Sequence, residues 1–193
     1  MKLIYKNKSV ARKFTNNTNV IKLCESKHYQ TLEISAMEKR QIQAVLRIAA
    51  ESGLSFWSFE DFEKETESAD GFIKAARIGS QTVGFIIARA SFEKKSSGGR
   101  GEIIELEICN IAVKKQFRKK GIGRALLRQL LNHARPFERA VIWLEVRESN
   151  QAALDFYSAH NFKIAYRRKD FYSRPPEDAL VMKLEISRER EQL

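Results

Sequence analysis

The second half of the chain alternates between apolar patterns of strand and helix, and this alternation restricts the fold more than any other feature. Four segments carry it: strand patterns at residues 103–113 and 140–146, and helical patterns at residues 122–134 and 151–159. A helix that connects two strands of one sheet is a crossover, and a crossover leaves the two strands parallel. This half of the chain therefore predicts a parallel strand pair inside a mixed sheet.

The first half predicts a strand hairpin and two helices. Strand patterns lie at residues 31–35, 71–78 and 81–92, and helical patterns at residues 36–50 and after Ser58. Asp61 follows Ser58 by three residues, which is an approximate capping pattern for the second helix. Gly79 and Ser80 form the turn between two of the strands. Residues 93–101, rich in Lys, Ser and Gly, predict a loop at a hairpin tip.

Two further strands, near residues 162–167 and 178–186, complete the expected elements. The predicted fold class is α/β (α+β), with a mixed central sheet of about six to seven strands and helices on both faces. A chain of 193 residues, 43% of them hydrophobic, suits one domain with a real core. We expect a basic leader at residues 1–30, the domain at residues 31–187 and a charged tail at residues 188–193.

Basic side chains are concentrated in two parts of the chain. The formal net charge is +11, and residues 1–30 contain seven Lys or Arg against Glu25 alone, so that they carry +6 of it. Residues 114–139 contain nine basic side chains, opposed only by Glu138. A stretch of this kind predicts an anionic partner.

Cysteine content and hydropathy favour a cytoplasmic protein. Cys24 and Cys109 are far apart, which predicts neither a disulfide framework nor a thiolate metal site. No apolar run approaches the ~20 residues that span a bilayer, and no secretory signal is evident. Three isolated histidines, His28, His133 and His160, are expected at the surface or at helix caps, without a metal. The leader is compatible with a mobile arm and with an organelle transit peptide.

A glycine-containing turn before the helical pattern at 122–134 is the clearest functional signal. Gly121 and Gly123 allow main-chain N–H groups to approach a ligand closely, and the helix N-terminus adds a partial positive charge. The turn has the chemistry of a diphosphate cradle. A structural turn with a solvated basic face would give the same pattern.

Two other nucleotide-binding motifs fit this turn less well. The dinucleotide-binding motif requires a third glycine, where Leu126 stands, and a first glycine almost directly after the strand, whereas seven residues separate Val113 from Gly121. Glu145 does lie at roughly the distance of a ribose-binding acid. No GK[ST] sequence is present, which excludes a nucleotide triphosphatase loop.

The run NIAV at residues 110–113, followed by RxxGxG at residues 118–123, resembles the acetyl-CoA signature of the GNAT (GCN5-related N-acetyltransferase) superfamily. Further along, WLEVRESN at residues 143–150 and the helix after it are similar to the RimI branch, which acetylates the N-terminal alanine of a small-subunit ribosomal protein. The resemblance covers residues 102–185. Residues 31–101 match in element order only, and residues 1–30 match nothing.

The resemblance implies a GNAT fold, acetyl-CoA as cosubstrate and no metal. It implies that Ile111 and Val113 offer main-chain groups to the pantetheine and that Asn150 contacts the CoA arm. The implied cofactor-binding residues are Ile111, Ala112, Val113, Arg118, Lys119, Lys120, Gly121, Ile122, Gly123, Arg124 and Asn150.

Acetyl transfer to an amine needs one base and one acid. Glu145 lies in an otherwise apolar strand, on the face of Trp143, where a partly desolvated carboxylate could accept a proton. The structural alternative is a solvent-facing Glu145 or one paired with Arg147. Tyr157 would, by its pattern alone, be a core aromatic. The resemblance implies that Glu145 is the general base, directly or through a water, and that Tyr157 is the general acid.

The expected acceptor is a protein N-terminal α-amine. At pH 7 an α-amine costs about 1.4 kcal/mol to deprotonate and a lysine about 4.6 kcal/mol. A lysine or a small polyamine is the alternative acceptor. Residues 166–172 resemble the basic-aromatic loop beside the acceptor site, although Asp170 and Phe171 depart from its adjacent tyrosines. Phe56 and Trp57 stand where the branch often has Pro-Trp.

The net charge also admits a function of another class, a basic nucleic-acid-binding module. Against it, the aromatic residues are mostly placed as core and form no basic-aromatic stacking surface in the pattern. The expected partners are a protein or peptide N-terminus, specifically that of a ribosomal protein, with a weak ribosome or RNA contact through the leader and no membrane.

Overall fold

The computed structural model describes residues 19–25, 28–54, 57–68, 71–93 and 103–187. These residues form eight strands and four α-helices, in the chain order β1 (Asn19–Glu25), β2 (His28–Ala36), α1 (Ile42–Glu51), α2 (Phe59–Glu67), β3 (Gly71–Ile78), β4 (Gln81–Glu93), β5 (Ile103–Val113), α3 (Ile122–Ala134), β6 (Arg139–Arg147), α4 (Gln151–Ser158), β7 (Lys163–Ser173) and β8 (Pro176–Ser187). The predicted loop, from residue 94 on, and the predicted tail lie outside the described residues.

The start of α2 follows the predicted capping pattern. Asp61 donates its main-chain N–H to the Ser58 hydroxyl oxygen at 3.1 Å. The Ser58 main-chain N–H in turn donates to the Asp61 carboxylate at 2.9 Å. Each side chain therefore satisfies a main-chain donor that the helix leaves without a partner, and the prediction is confirmed.

The helix predicted at residues 36–50 begins later than expected. Ala36 still pairs with β3, and a 3-10 turn, Lys39–Gln41, precedes α1. Gln41 is buried and accepts a hydrogen bond from the Glu38 main-chain N–H at 2.8 Å, while its amide donates to the Thr82 hydroxyl at 3.4 Å. Long-range pairing and these hydrogen bonds, not apolar periodicity, decide where α1 starts.

The strands form one sheet in the order β1-β2-β3-β4-β5-β6-β8-β7. Neighbouring strands are antiparallel, except that β5 and β6 are parallel and are connected through α3. The predicted parallel pair in a mixed sheet is confirmed. β8 lies between β6 and β7, so β7 is an edge strand.

The strand β1 lies within the segment predicted as a leader. It pairs antiparallel with β2 from Asn19, opposite Ile34, to Glu25, opposite His28. The sheet therefore has one strand more than the six to seven expected, and this part of the leader assignment is wrong. The apolar residues of β1, which are Val20, Ile21, Leu23 and Cys24, do not alternate strictly with polar ones, and pairing with β2 makes this run a strand. Residues 1–18 lie outside the described residues.

Helices cover both faces of the sheet, as expected. α3 and α4 pack on the face whose core contains Ile104, Leu106 and Leu126. On the opposite face, Phe62 of α2 packs edge-on against Phe85 of β4, with ring centroids 5.9 Å apart. In the part of the chain that the structure describes, no helix has the length and apolar character to cross a membrane.

Candidate active site

The parallel strands β5 and β6 separate part-way along their length. They pair only as far as Ile108 and Leu144. Beyond this point β5 pairs with β4 and β6 pairs with β8, but not with each other. The register between β4 and β5 shifts at Cys109, an extra residue without an opposite partner, and such a bulge bends a strand. The separation leaves a cleft between β5 and β6.

Ile111, Ala112 and Val113, predicted to bind the cofactor, form the β5 edge of this cleft. Each has a ladder partner in β4 and none in β6. The side chains of Ile111 and Val113 pack against the core on the α3 face, so the main chain forms the edge. This arrangement suits the predicted main-chain contacts with pantetheine, and the contacts themselves stay a prediction.

The turn between β5 and α3 ends at an uncapped helix N-terminus. Lys119 and Gly121 are in the left-handed region, with φ of 61° and 80°. Gly121 precedes the helix, and no side chain caps it. The Ala125 N–H donates to the Gly121 carbonyl at 2.9 Å, so the N–H groups of residues 122–124 have no acceptor inside the helix. Such a terminus binds anions.

Gly123 brings the start of α3 against α4. A Cβ added at Gly123 would lie 3.5 Å from the Phe156 ring and 3.9 Å from the Val113 side chain, both ordinary contact distances. The helix N-terminus therefore lies beside the end of β5 and next to α4. A larger side chain at Gly123 would fill this space.

Two basic residues of the turn make contacts within the protein. The Arg118 Nε donates to the Val113 carbonyl at 2.9 Å, and its Nη2 donates to the Ser52 hydroxyl at 3.0 Å. Arg118 thus braces the turn against the end of α1. The Lys120 ammonium lies 5.4 Å from the Phe117 ring centroid. Direct contacts of these two cations with a phosphate stay a prediction.

Asn150 is the N-cap of α4. Its side-chain oxygen accepts a hydrogen bond from the Ala153 main-chain N–H at 3.2 Å. This bond gives Asn150 a structural role at the start of the helix. Its predicted contact with the CoA arm is a separate role and stays a prediction.

Glu145 lies on β6 one residue beyond the point where the strands separate. Its carboxylate forms an ion pair with Arg168 of β7, and its side chain is 23% exposed. The alternative pairing of Glu145 with Arg147 is wrong, because Arg147 pairs with Glu177 at 3.0 Å. Trp143 and Glu145 line the same pocket, as strand alternation predicts.

Tyr157 is buried in α4. Its ring centroid lies 5.2 Å from that of Phe156 and 5.4 Å from that of Phe162, so the ring is part of the core. Burial, with a contribution from Tyr172, raises the pKa of the Tyr157 hydroxyl well above its usual range. The hydroxyl is therefore protonated at neutral pH, as any tyrosine of ordinary pKa is, and burial makes it a weaker acid.

Tyr172 of β7 lies within electrostatic reach of both predicted catalytic residues. Burial and then the Glu145 carboxylate raise the pKa of Tyr172. Tyr172 in turn contributes, after burial, to the raised pKa of Tyr157. The Arg147 guanidinium lies over the Tyr172 ring, 4.0 Å from its centroid. Sequence reasoning placed Tyr172 in the loop beside the acceptor and gave Arg147 no role. The RimI-like basic-aromatic run was the one signal that pointed to Tyr172.

A pocket of about 350 Å³ opens beside Glu145. Its charged and aromatic lining comes from β4 to β7: Arg89, Glu105, Glu107, Trp143, Tyr166 and Arg168. The carboxylate of Glu145 is therefore reachable from solvent through a polar pocket. This pocket is on the sheet face opposite α3.

The predicted acceptor residue Phe56 lies outside the described residues. Its neighbour Trp57 is fixed between two elements: the Arg89 guanidinium lies 5.4 Å from its ring centroid, and the Phe62 ring lies 5.2 Å away. Arg89 is held by Glu65 of α2 through three hydrogen bonds of 2.7 to 3.1 Å. Trp57 is therefore positioned near the pocket by α2 and β4.

Two of the three histidines, His133 and His160, have described side chains. His133 is half-buried 5.2 Å from the Phe72 ring, and burial lowers its pKa, so the expectation of a surface or cap residue is wrong for it. The Nδ1 of His160 lies 2.7 Å from the Phe156 carbonyl oxygen at the end of α4. Among the described residues, no three His, Cys, Asp or Glu side chains cluster to hold a metal.

Residues 40–162 match the acetyltransferase (GNAT) family. The [ribosomal protein bS18]-alanine N-acetyltransferase of Escherichia coli (strain K12) is 40% identical over 85 residues, which are 43% of this chain and 57% of that protein. The chain thus aligns with a little over half the length of this relative. The N-alpha-acetyltransferase RimI of Mycobacterium tuberculosis is 31% identical over 157 residues, 80% of this chain and 92% of that protein.

Solved structures give the same fold. The crystal structure of the ribosomal-protein-S18-alanine N-acetyltransferase from Escherichia coli matches with a TM-score of 0.67 and 28% identity, covering 84% of this chain and 98% of that one. Arabidopsis thaliana NAA60 in complex with a bisubstrate analogue matches with a TM-score of 0.71 and 20% identity, over 81% of this chain and 99% of that one. The second likeness concerns the fold alone.

Proposed function

The chain belongs to the acetyltransferase (GNAT) family, and on this basis we propose that it transfers an acetyl group from acetyl-CoA to the N-terminal α-amine of a protein, with the N-terminal alanine of a ribosomal protein as the acceptor. One observation carries the proposal. The strands β5 and β6 separate beyond Ile108 and Leu144, an uncapped helix N-terminus follows β5, and the Glu145 carboxylate lies one residue beyond the last β6 residue that pairs with β5. The names of the Escherichia coli and Mycobacterium tuberculosis relatives support the choice of acceptor.

The residues of the cleft fit acetyl-CoA. Its diphosphate is an anion, and the N–H groups of residues 122–124 lack acceptors within α3. The main-chain edge of residues 111–113 is extended and has no partner in β6, which suits the amide groups of pantetheine. Acetyl-CoA supplies the acetyl group as a thioester. Lys119 and Arg124, both exposed beside the helix N-terminus, would add countercharge.

Glu145 is the proposed proton acceptor. The acceptor amine enters as an ammonium and must lose a proton before its nitrogen can form the bond to the acetyl carbon. The Glu145 carboxylate faces the polar pocket and would take this proton directly or through one water. Arg168, its ion-pair partner, would have to share the carboxylate with the incoming amine.

Tyr157 is the proposed proton donor. When the carbon–sulfur bond breaks, the electron pair leaves with the sulfur, which needs a proton. The Tyr157 hydroxyl is protonated at neutral pH, as a tyrosine with an ordinary pKa of about 10 also is, and burial raises its pKa further. The nitrogen loses a second proton as the amide forms, and this proton would return to the Tyr157 oxygen directly or through water. Glu145 would release its proton to solvent, so that one proton is released for each acetyl group transferred.

A competition between two amines tests the proposal. One peptide begins with a free alanine, and the matched peptide has the same sequence with an acetylated N-terminus, and both contain one lysine. We expect mass spectrometry to find acetyl on the free α-amine at pH 7, because its deprotonation costs about 3 kcal/mol less than that of lysine. Modification of lysine in preference to the α-amine would reject the acceptor class.

A further inference from the structure

Arg147, the last residue of β6, contacts four groups of the β7–β8 hairpin. Its Nη2 donates to the Arg174 carbonyl at 2.9 Å, and its Nη1 donates to the Pro175 carbonyl at 3.2 Å. The same Nη1 donates to the Glu177 carboxylate at 3.0 Å. The face of the guanidinium lies 4.0 Å from the centroid of the Tyr172 ring. One planar side chain therefore holds both the hairpin turn and an aromatic ring next to it.

The partner Glu177 extends this contact to the helix that carries Tyr157. Its second carboxylate oxygen accepts a hydrogen bond from the Ser149 main-chain N–H at 2.6 Å, one residue before the N-cap of α4. Ser149 and Arg147 together hold the pKa of Glu177 below its usual value. The hairpin is thus tied to the connection between β6 and α4.

The held ring belongs to the residue that lies close to both proposed catalytic groups. After burial, the Glu145 carboxylate contributes to the raised pKa of the Tyr172 hydroxyl, and Tyr172 contributes in the same way to the raised pKa of Tyr157. Arg147 follows Glu145 by two residues, so the two side chains leave the same face of β6. A shift of the hairpin would therefore move Tyr172 and Arg168 relative to Glu145.

Arg139, a second arginine of β6, forms a more exposed ion pair with β8 and serves as a comparison for Arg147. Arg139, at the other end of the strand, pairs with Glu185 of β8 at 3.3 Å, and the two side chains are 53% and 45% exposed. Those of Arg147 and Glu177 are 22% and 18% exposed. Only the second pair adds main-chain acceptors and a stacked ring.

We propose that Arg147 is a positioning residue for the acceptor: it fixes Tyr172 and the turn of the β7–β8 hairpin against the end of β6, and so places Tyr166 and Arg168 of the same hairpin, which line the pocket beside Glu145. The proposal rests on the proposed function, because it assigns the pocket beside Glu145 to the acceptor peptide. Arg147 acts through Tyr172 and the hairpin. It lies on the acceptor side of the cleft, and none of the residues proposed for acetyl-CoA is among its contacts.

Steady-state kinetics of Arg147→Gln and Arg139→Gln test this role. Both variants lose one arginine from β6 and one ion pair with β8. We expect Arg147→Gln to raise the KM for an alanine-started peptide about tenfold to a hundredfold, with the Kd for acetyl-CoA within twofold of wild type. In Arg139→Gln, the peptide KM and the Kd for acetyl-CoA should both stay at their wild-type values. An unchanged peptide KM in Arg147→Gln, or an equal loss of acetyl-CoA affinity, would overturn the proposal.

Arg147→Lys separates geometry from charge. A lysine keeps the positive charge, but its ammonium cannot stack on a ring and contact three acceptors as a planar guanidinium does. We expect its peptide KM to lie within twofold of that of Arg147→Gln. Recovery of the wild-type KM in Arg147→Lys would show that the ion pair alone suffices and would refute the positioning role.

Amide hydrogen exchange gives a result that does not depend on acetylation. Arg147→Gln should speed exchange of the amides at residues 172–178, while Arg139→Gln leaves them unchanged. If the wild-type protein failed to acetylate any peptide, the proposed function would fall while this result could still stand. If exchange at residues 172–178 were the same in both variants and wild type, Arg147 would not hold the hairpin and the inference would fall.

Discussion

The Glu145 carboxylate of β6 and the Arg168 guanidinium of β7 form an ion pair that reaches across β8, the strand between them. The edge strand thereby places a positive charge beside the proposed base. Because β7 and β8 form one hairpin, the same element carries Arg168 and Tyr172. The position of this hairpin thus decides what surrounds Glu145.

Glu145→Gln should lower kcat/KM at pH 7 by roughly 10²- to 10⁴-fold, since it keeps the shape of the side chain and removes the proton acceptor. The loss should shrink toward pH 9.5, where free amine is supplied by solvent. Glu148→Gln is the matched control. Glu148 pairs with Arg167 of β7, the neighbour of Arg168, and has no proposed catalytic role. An identical pH profile in Glu145→Gln and wild type would remove Glu145 as the base.

Tyr157→Phe should lower kcat by ~10²-fold or more and leave the Kd for acetyl-CoA nearly unchanged, because the hydroxyl acts when the sulfur departs. The ring and its packing on Phe156 and Phe162 are retained. Turnover within twofold of wild type in Tyr157→Phe would leave Tyr157 as a core aromatic only.

Gly123→Val should abolish acetyl-CoA binding in calorimetry, and it should also lower the melting temperature, because the added methyl groups overpack the contact with Phe156. A Cβ at residue 123 points toward Phe156 and Val113 and lies within 4 Å of both, so the valine methyl groups would push the start of α3, with its N–H groups, away from the end of β5. Gly123→Ala should weaken binding less, because its single Cβ makes ordinary contacts. Wild-type affinity in Gly123→Val would contradict the assignment of the diphosphate site.

Removal of residues 1–18 and removal of residues 1–30 should have different effects on the melting temperature. The shorter deletion is expected to leave acetylation of a free peptide intact, because every residue proposed for chemistry or cofactor binding lies after Asn110. The longer deletion also removes β1 and the first residues of β2. It should lower the melting temperature, by roughly 2–4 °C for each kcal/mol of stability lost. Equal melting temperatures for both truncated proteins would show that β1 contributes nothing to the fold.

Local patterns in the sequence determined most of the elements and the cofactor side of the candidate site. The strand and helix at residues 103–113 and 122–134 have the predicted bounds, since apolar periodicity and the glycine turn are properties of neighbouring residues. The parallel pair followed from the helix between two strands. The turn at Gly121 and the start of α3 could therefore be recognised before any tertiary contact was known.

Tertiary structure alone decided what surrounds the proposed base and acid. β1 was missed because its apolar residues come in adjacent pairs, without strict alternation, and only the pairing with β2 makes the segment a strand. The partner of Glu145 is Arg168, not the nearby Arg147, because the insertion of β8 between β6 and β7 and the register shifts in β7 determine which side chains meet. The same register brings Tyr172 toward Glu145 and Tyr157. Contacts between residues far apart in sequence depend on strand order and register, which a one-dimensional pattern does not contain.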